Sequence, residues 1–220
     1  MRHSEAYARL LEVMGYNNDY KYLYDIPIFK KKIDMMENSL YGDDDIISKL
    51  VFFTIVIENA SLFSQFANIL SFTRFKGYLK NTSNIIAWTS VDEQTHADAG
   101  VYIINKLKEE GHLSEEIMSR MLQDVKNYIG YEAELLDWIY EKGELDFFSK
   151  NDMLNFMKYR IDESLVKMGT SKIYNISEEA YKPMKWFDED VFANELDDFF
   201  AKRPTAYTKH DKSITASDLF

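Results

Sequence analysis

The sequence predicts an all-α protein, a bundle of long helices, and three observations carry that expectation. Only three prolines and eight glycines interrupt 220 residues, too few for a turn-rich sheet protein. Apolar residues recur at helical spacing through nearly everything before residue 170. The helices so predicted are long and the stretches between them short, which is how neighbouring bundle helices are joined.

The pattern places the elements in order. Ser4 to Met14 forms a helix with Tyr7, Leu10, Leu11 and Met14 on one face. A second covers Ile26 to Leu40. Asp43-Asp44-Asp45 then gives an acidic first turn to a long, largely buried helix ending near Gly77. Another runs from Thr82-Ser83 to Gly111. Ser114-Glu115-Glu116 opens one that ends near Gly143, and Lys150 to Met168 makes a last one, stopped by Gly169. From Thr170 the periodicity fades, Pro183 and Pro204 appear, and the last dozen residues are mostly polar. Three regions are expected: a helical bundle portion over 1–170, an ordered extension over 171–206 and a flexible tail over 207–220.

Composition narrows the function classes. With 46% hydrophobic and 29% charged residues the chain is globular rather than disordered. Its net charge of −11 argues against nucleic acid as a partner, which needs a basic face to neutralise phosphates. Having no cysteine, it has no disulfide framework, thiolate metal site or cysteine nucleophile, and it fits a cytoplasmic protein. Met1-Arg2-His3-Ser4-Glu5 leads into charged amphipathic sequence rather than a secretory signal. The most apolar window, Ile46 to Phe75, contains Lys49, Glu58, Gln65 and Arg74, a load that a lipid-spanning helix rarely carries. No membrane association is expected.

Two predicted helices carry candidate metal donors. Glu93-Gln94-Thr95-His96 places a carboxylate and an imidazole at i and i+3, on one helix face, so both reach the same side of one ion. Glu58 lies mid-way along the preceding helix among Phe52, Phe53, Ile55, Ile57, Leu62 and Phe63. A carboxylate in such surroundings is costly to bury unless paired or bound to a cation. Carboxylate and imidazole donors suit iron or manganese, and their recurrence on bundle helices is the dimetal carboxylate pattern. Taken singly, Glu-x-x-His reads as a solvated surface pair, and Glu58 could pair with a core lysine or arginine. His3 and Tyr7, four apart, share a face; by spacing alone they read as an exposed terminal histidine and a core tyrosine.

The ordered set of motifs resembles the small subunit of class I ribonucleotide reductase, in its C-terminal portion. His3-Ser4-Glu5-Ala6-Tyr7 is similar to the segment where a ligand histidine precedes the radical tyrosine by four residues. Glu58 with Phe66 resembles the next ligand helix, and Asp92-Glu93-Gln94-Thr95-His96 the Asp-Glu-x-x-His motif. Asp198-Phe199-Phe200-Ala201-Lys202-Arg203 with Tyr207 resembles the Phe-Phe-x-x-Arg…Tyr stretch, and Ser217-Asp218-Leu219-Phe220 the acidic, aromatic tail that docks on the large subunit. The resemblance implies a partial ferritin-like helical bundle holding a di-iron, di-manganese or mixed manganese–iron centre. His3, Glu58, Glu93 and His96 would be its ligands and Tyr7 the radical site. Asp92 would orient the His3 imidazole, and Tyr207 would relay the radical. A homodimer of the completed small subunit and docking on the large subunit by the tail are implied too, as is reduction of ribonucleotides to deoxyribonucleotides.

There are departures from the family pattern. Lys182 stands where asparagine is usual, and Leu62 where an aromatic residue is common. The family's first aspartate ligand, the glutamate three residues before the ligand histidine, and an early tryptophan have no counterpart here. The expectation is therefore a split-gene product, an internal-start product or a fragment, completed by an N-terminal half of the small subunit. Two rivals stand beside it: another ferritin-like dimetal oxidase or oxygenase, and an inactive remnant that only docks on the large subunit.

Overall fold

The structure, a computed structural model, describes residues 3–16, 21–41 and 46–192. In chain order the elements are α1 (His3–Val13), α2 (Lys21–Asp25), α3 (Pro27–Tyr41), α4 (Ile46–Val51), a π-helix (Phe52–Ser61), α5 (Leu62–Lys76), α6 (Lys80–Glu109), α7 (Glu115–Ile139), α8 (Lys150–Lys167), α9 (Glu178–Tyr181), a 3-10 turn (Lys182–Met184) and α10 (Lys185–Phe192). The fold is all-α and ferritin-like, and among the described residues the sole β pairing is an isolated bridge between Leu145 and Phe148.

Local chemistry fixes most boundaries. Ser114 caps α7 by accepting from the Ile117 amide, with Glu115 and Glu116 in the first turn where they meet the positive end of the helix. Ser149 and Asp152 form a reciprocal capping box at the start of α8. Gly77, at φ +73°, ends α5: its amide bonds to Thr73 and the Tyr78 amide to Phe72, the paired bonds of a left-handed C-cap.

One finding differs from the uniform helix expected before Gly77. The run from Ile46 to Lys76 is continuous, but its central ten residues are π-helical. This run is also the described helix long and apolar enough to cross a membrane, with a mean hydropathy of 1.7. Its apolar surface is instead largely used within the bundle, 61% of the window being buried there. A core helix surrounded by others is apolar all round in the same way.

The π-helix is the hub. It packs most heavily on α6 and α8, and also on α5 and α7. Thr54 meets Gly100 while Glu58 meets His96, so the π-helix and α6 run antiparallel. A Cβ on Gly100 would lie 2.2 Å from Thr54 Oγ1, so glycine is what permits this approach. Val51, Ile55, Phe63, Phe156, Ile161 and Phe187 are fully buried around the hub. Phe63 is ringed by Phe66, Phe187 and Phe192, which ties α10 to the core.

Beyond α8 the chain keeps more helix than its fading periodicity suggested. The fully buried Asp162 carboxylate accepts from the backbone amides of Ile173, Tyr174 and Ile176, anchoring the loop that follows Gly169. α9, the 3-10 turn and α10 then return along the bundle, with Pro183 in the first turn of the 3-10 segment, where it costs no hydrogen bond. Residues 193–206 of the expected extension and the tail 207–220 lie outside the described residues.

Candidate metal centre

The π-helix and α6 bring Glu58, Glu93 and His96 together. One ligand atom from each lies within 4.8 Å of the others. His96 Nδ1 is 3.3 Å from Glu93 Oε2 and 3.9 Å from Glu58 Oε1. The two carboxylates are only 13% and 12% exposed, whereas His96 is 57% exposed, so the cluster is walled on the protein side and open beside the histidine. Burial, then the neighbouring Glu93 charge, raises the Glu58 pKa above the ordinary carboxylate range, and His96 opposes this.

α1 adds the fourth donor. His3 Nδ1 lies 3.1 Å from Glu93 Oε1, and its Nε2 lies 2.9 Å from Asp92 Oδ2. Each ring nitrogen thus meets one carboxylate of the Asp92-Glu93 pair. A cation placed between His3 Nδ1 and Glu93 Oε1 would be held by both.

Tyr7, one turn along α1 from His3, is half-buried and packs against the core. Its hydroxyl is buried without a hydrogen bond of good geometry. Burial raises the phenol pKa, the nearby Thr89 hydroxyl lowers it, and the Glu93 charge raises it. Thr89 and Glu93 are one turn apart on α6, so α1 lies antiparallel along α6, with His3 beside Glu93 and Tyr7 beside Thr89. Tyr207 and the terminal Asp218-Leu219-Phe220 lie outside the described residues.

Two polar centres next to this cluster escaped the sequence reading. Ser61, the last π-helical residue, accepts from Lys32 (3.0 Å) and Tyr128 (3.2 Å) and donates to Glu132 (2.6 Å). Lys32 also pairs with Glu132 at 2.7 Å, and Glu132 is 1% exposed. Burial, reinforced by the Glu132 charge, drives the Tyr128 phenol pKa far upward. The second centre is Arg160, buried on α8, which donates to the Asn59 carbonyl, the Asn59 side chain, Gln94 and Asp188. Both centres had a signal. Glu132 interrupts the apolar stripe Met121, Val125, Ile129, Leu136, and Arg160 the stripe Met153, Phe156, Met157, Ile161, as Glu58 does in its own helix.

Comparison with known proteins gives this geometry a family. The chain is 27% identical to the probable ribonucleoside-diphosphate reductase small subunit of Invertebrate iridescent virus 3, over 77% of this chain and 46% of the relative. It is 24% identical to the corresponding protein of Invertebrate iridescent virus 6, over 99% of this chain and 71% of the relative. It thus spans about half the length of the first of these relatives and under three quarters of the second. Its fold matches a crystal structure provisionally assigned as a class I ribonucleotide reductase from Bacillus halodurans, with TM-score 0.73 and 18% identity, covering 84% of this chain and 70% of that one. The sequence profile for "Ribonucleotide reductase, small chain" matches residues 1–183, most of the chain, and the chain therefore belongs to the ribonucleotide reductase small-chain family.

Proposed function

We propose that this chain forms part of a ribonucleoside-diphosphate reductase small subunit in which a dimetal centre generates a radical on Tyr7. The family implies a dimetal centre, a homodimer and association with a large subunit. The observation that carries the reading is the meeting of Glu58, Glu93, His96 and His3, with Tyr7 one turn from His3. The donors fit the cofactor: oxygen and imidazole ligands suit iron, manganese or a mixed pair. Two adjacent carboxylates with a raised Glu58 pKa also need a cation more than they need each other.

In this reading Glu58, Glu93, His96 and His3 hold the metals. Asp92, on the second His3 nitrogen, fixes the ring's orientation and tautomer. The bound centre supplies oxidising equivalents drawn from oxygen. Tyr7 is the residue oxidised, and its hydroxyl, buried against the core, is shielded from water and stray reductants. Further donors come from a polypeptide segment outside these 220 residues, an N-terminal half of the small subunit. The radical passes through Tyr207 to the large subunit, where ribonucleotides become deoxyribonucleotides, and Leu219 and Phe220 anchor the tail there. The setting proposed is the cytoplasm.

Two measurements test this. Manganese(II) titration followed by electron paramagnetic resonance should show binding that Glu93→Ala removes; equal binding by Glu93→Ala rejects the site. In the assembled, metal-loaded protein, Tyr7→Phe should abolish a tyrosyl signal, and survival of that signal would move the radical elsewhere.

A further inference from the structure

Arg160 occupies an unusual place in the bundle. Its side chain is buried, on a helix stripe otherwise made of Met153, Phe156, Met157 and Ile161. A guanidinium in such a place is costly unless its donors are satisfied, and here every partner belongs to another element. Nε donates to the Asn59 carbonyl at 2.7 Å. One terminal nitrogen donates to the Asn59 side-chain oxygen at 3.0 Å and to Gln94 Oε1 at 2.6 Å. The other donates to Asp188 Oδ1 at 3.2 Å. The guanidinium also lies 3.7 Å from the centre of the Phe63 ring. Asn59 returns the contact, its amide donating to the Arg160 carbonyl at 2.9 Å and to Ser164 at 2.5 Å.

The identity of the partners matters more than their number. Asn59 follows Glu58, and Gln94 follows Glu93. Successive residues point about 100° apart on α6 and somewhat less on the wider π-helix, so each carboxylate can face the metal cluster while its neighbour faces α8. One planar, rigid fork thus grips both ligand-bearing helices one residue from their carboxylates. Its fourth contact reaches α10, where Asp188 also accepts from the Tyr181 hydroxyl of α9. The same side chain therefore touches both walls of the cluster and the last described segment of the chain.

We propose that Arg160 is a positioning residue that sets the relative placement of Glu58 and Glu93 and couples it, through Asp188, to the segment Glu178–Phe192. The metal consequence rests on the function proposed above; the coupling does not. A partner that shifts α10 shifts the grip of Arg160 on Asn59 and Gln94, and with it the spacing of the two carboxylates. Lysine cannot replace it, because an ammonium cannot span four acceptors in one plane.

The test uses the full chain and hydrogen–deuterium exchange. Asp188→Asn should speed amide exchange in residues 52–61 and 88–96 by about 5-fold or more, with exchange in α7 unchanged. Arg160→Lys should do the same more strongly. Asp190→Asn is the control: it removes the α10 ion pair to Arg74 on α5 (3.1 Å) and leaves Arg160 alone. Equal acceleration by Asp188→Asn and Asp190→Asn, or no acceleration by either Asp188→Asn or Arg160→Lys, overturns the proposal. Manganese(II) titration on the same variants should show Asp188→Asn weakening binding several-fold and Asp190→Asn leaving it unchanged. If the wild-type chain binds no manganese, the metal reading fails, and the exchange measurement still decides the coupling.

Discussion

Two largely buried carboxylates beside the C-terminal half of the π-helix are treated in opposite ways. At Ser61, Glu132 is matched by Lys32 at 2.7 Å and by the Ser61 hydroxyl, so the charge is neutralised inside the chain. At Glu58, three residues earlier, the neighbours are the Glu93 carboxylate and His96. Lys32 and Ser61 both meet Glu132 Oε1, so a cation of the chain itself compensates this charge, while Oε2 is buried without a hydrogen bond. Glu58 and Glu93 repel each other, and a protein retains such an arrangement at a cost in stability. The contrast separates carboxylates that hold the fold from carboxylates suited to an external cation, and it does so without reference to any relative.

The strongest way to break the comparison is to unbalance the paired carboxylate. Lys32→Met leaves Glu132 buried and uncompensated, and should lower stability by about 2–4 kcal/mol in urea denaturation, near the usual range for a broken buried pair. Adding Glu132→Leu should recover most of that loss, since an apolar pair of similar volume is often neutral. A double variant as unstable as the single one would mean that the pair does more than neutralise.

Gly100→Ala acts on the other face. Its new Cβ meets Thr54, forcing α6 away from the π-helix, and should cost about 1–3 kcal/mol of stability. Thr54→Ala in the same chain should restore much of it. If Gly100→Ala alone is neutral by thermal denaturation, the close approach is not a constraint on the cluster.

Glu58→Gln gives the smallest effect and the opposite sign. Relieving repulsion at a partly buried site should stabilise the metal-free chain by up to about 1 kcal/mol, while weakening manganese binding. The pH dependence follows from the raised folded-state pKa. Between the unfolded and folded values the folded state holds more protons, so this group's contribution to stability falls as pH rises. Comparing wild type with Glu58→Gln from about pH 4 to 7 isolates that slope. An identical pH profile for the two chains would show that Glu58 is not under strain.

The helices were legible because amphipathic stripes and caps are local. Ser114-Glu115-Glu116 and Gly77 mark their boundaries within a few residues. The π-helix was not legible, because residues 52–61 are buried on nearly every side and an all-round apolar segment shows no stripe whose slip could be seen. α10 was hidden by a short stretch in which Pro183 interrupts the period before Trp186 and Phe187 resume it. Glu93 and His96 stood out by spacing and Glu58 by its apolar company. His3, Tyr7 and Asp92 were assigned by resemblance alone, since the contacts that bring them together join α1 to α6 across some 90 residues of chain. The contacts of Glu132 and Arg160 were beyond sequence for the same reason: a misplaced charge is visible in a stripe, but its partner on another helix is not.

α1 has no fully buried residue, and what joins it to α6 is largely the His3 contact with Asp92 and Glu93 and the seat of Tyr7 beside Thr89. Its attachment to the rest of the bundle thus rests on few contacts. Mass action then gives any ion shared by His3 and Glu93 a second effect. At concentration [M] and dissociation constant Kd, it multiplies the docked-to-undocked ratio by 1 + [M]/Kd. Conversely, the observed affinity is diminished by the fraction of chains in which α1 is away. If the metal proposed above is shared by His3 and Glu93, its binding and the seating of Tyr7 would be linked, and scarcity of the ion would loosen both.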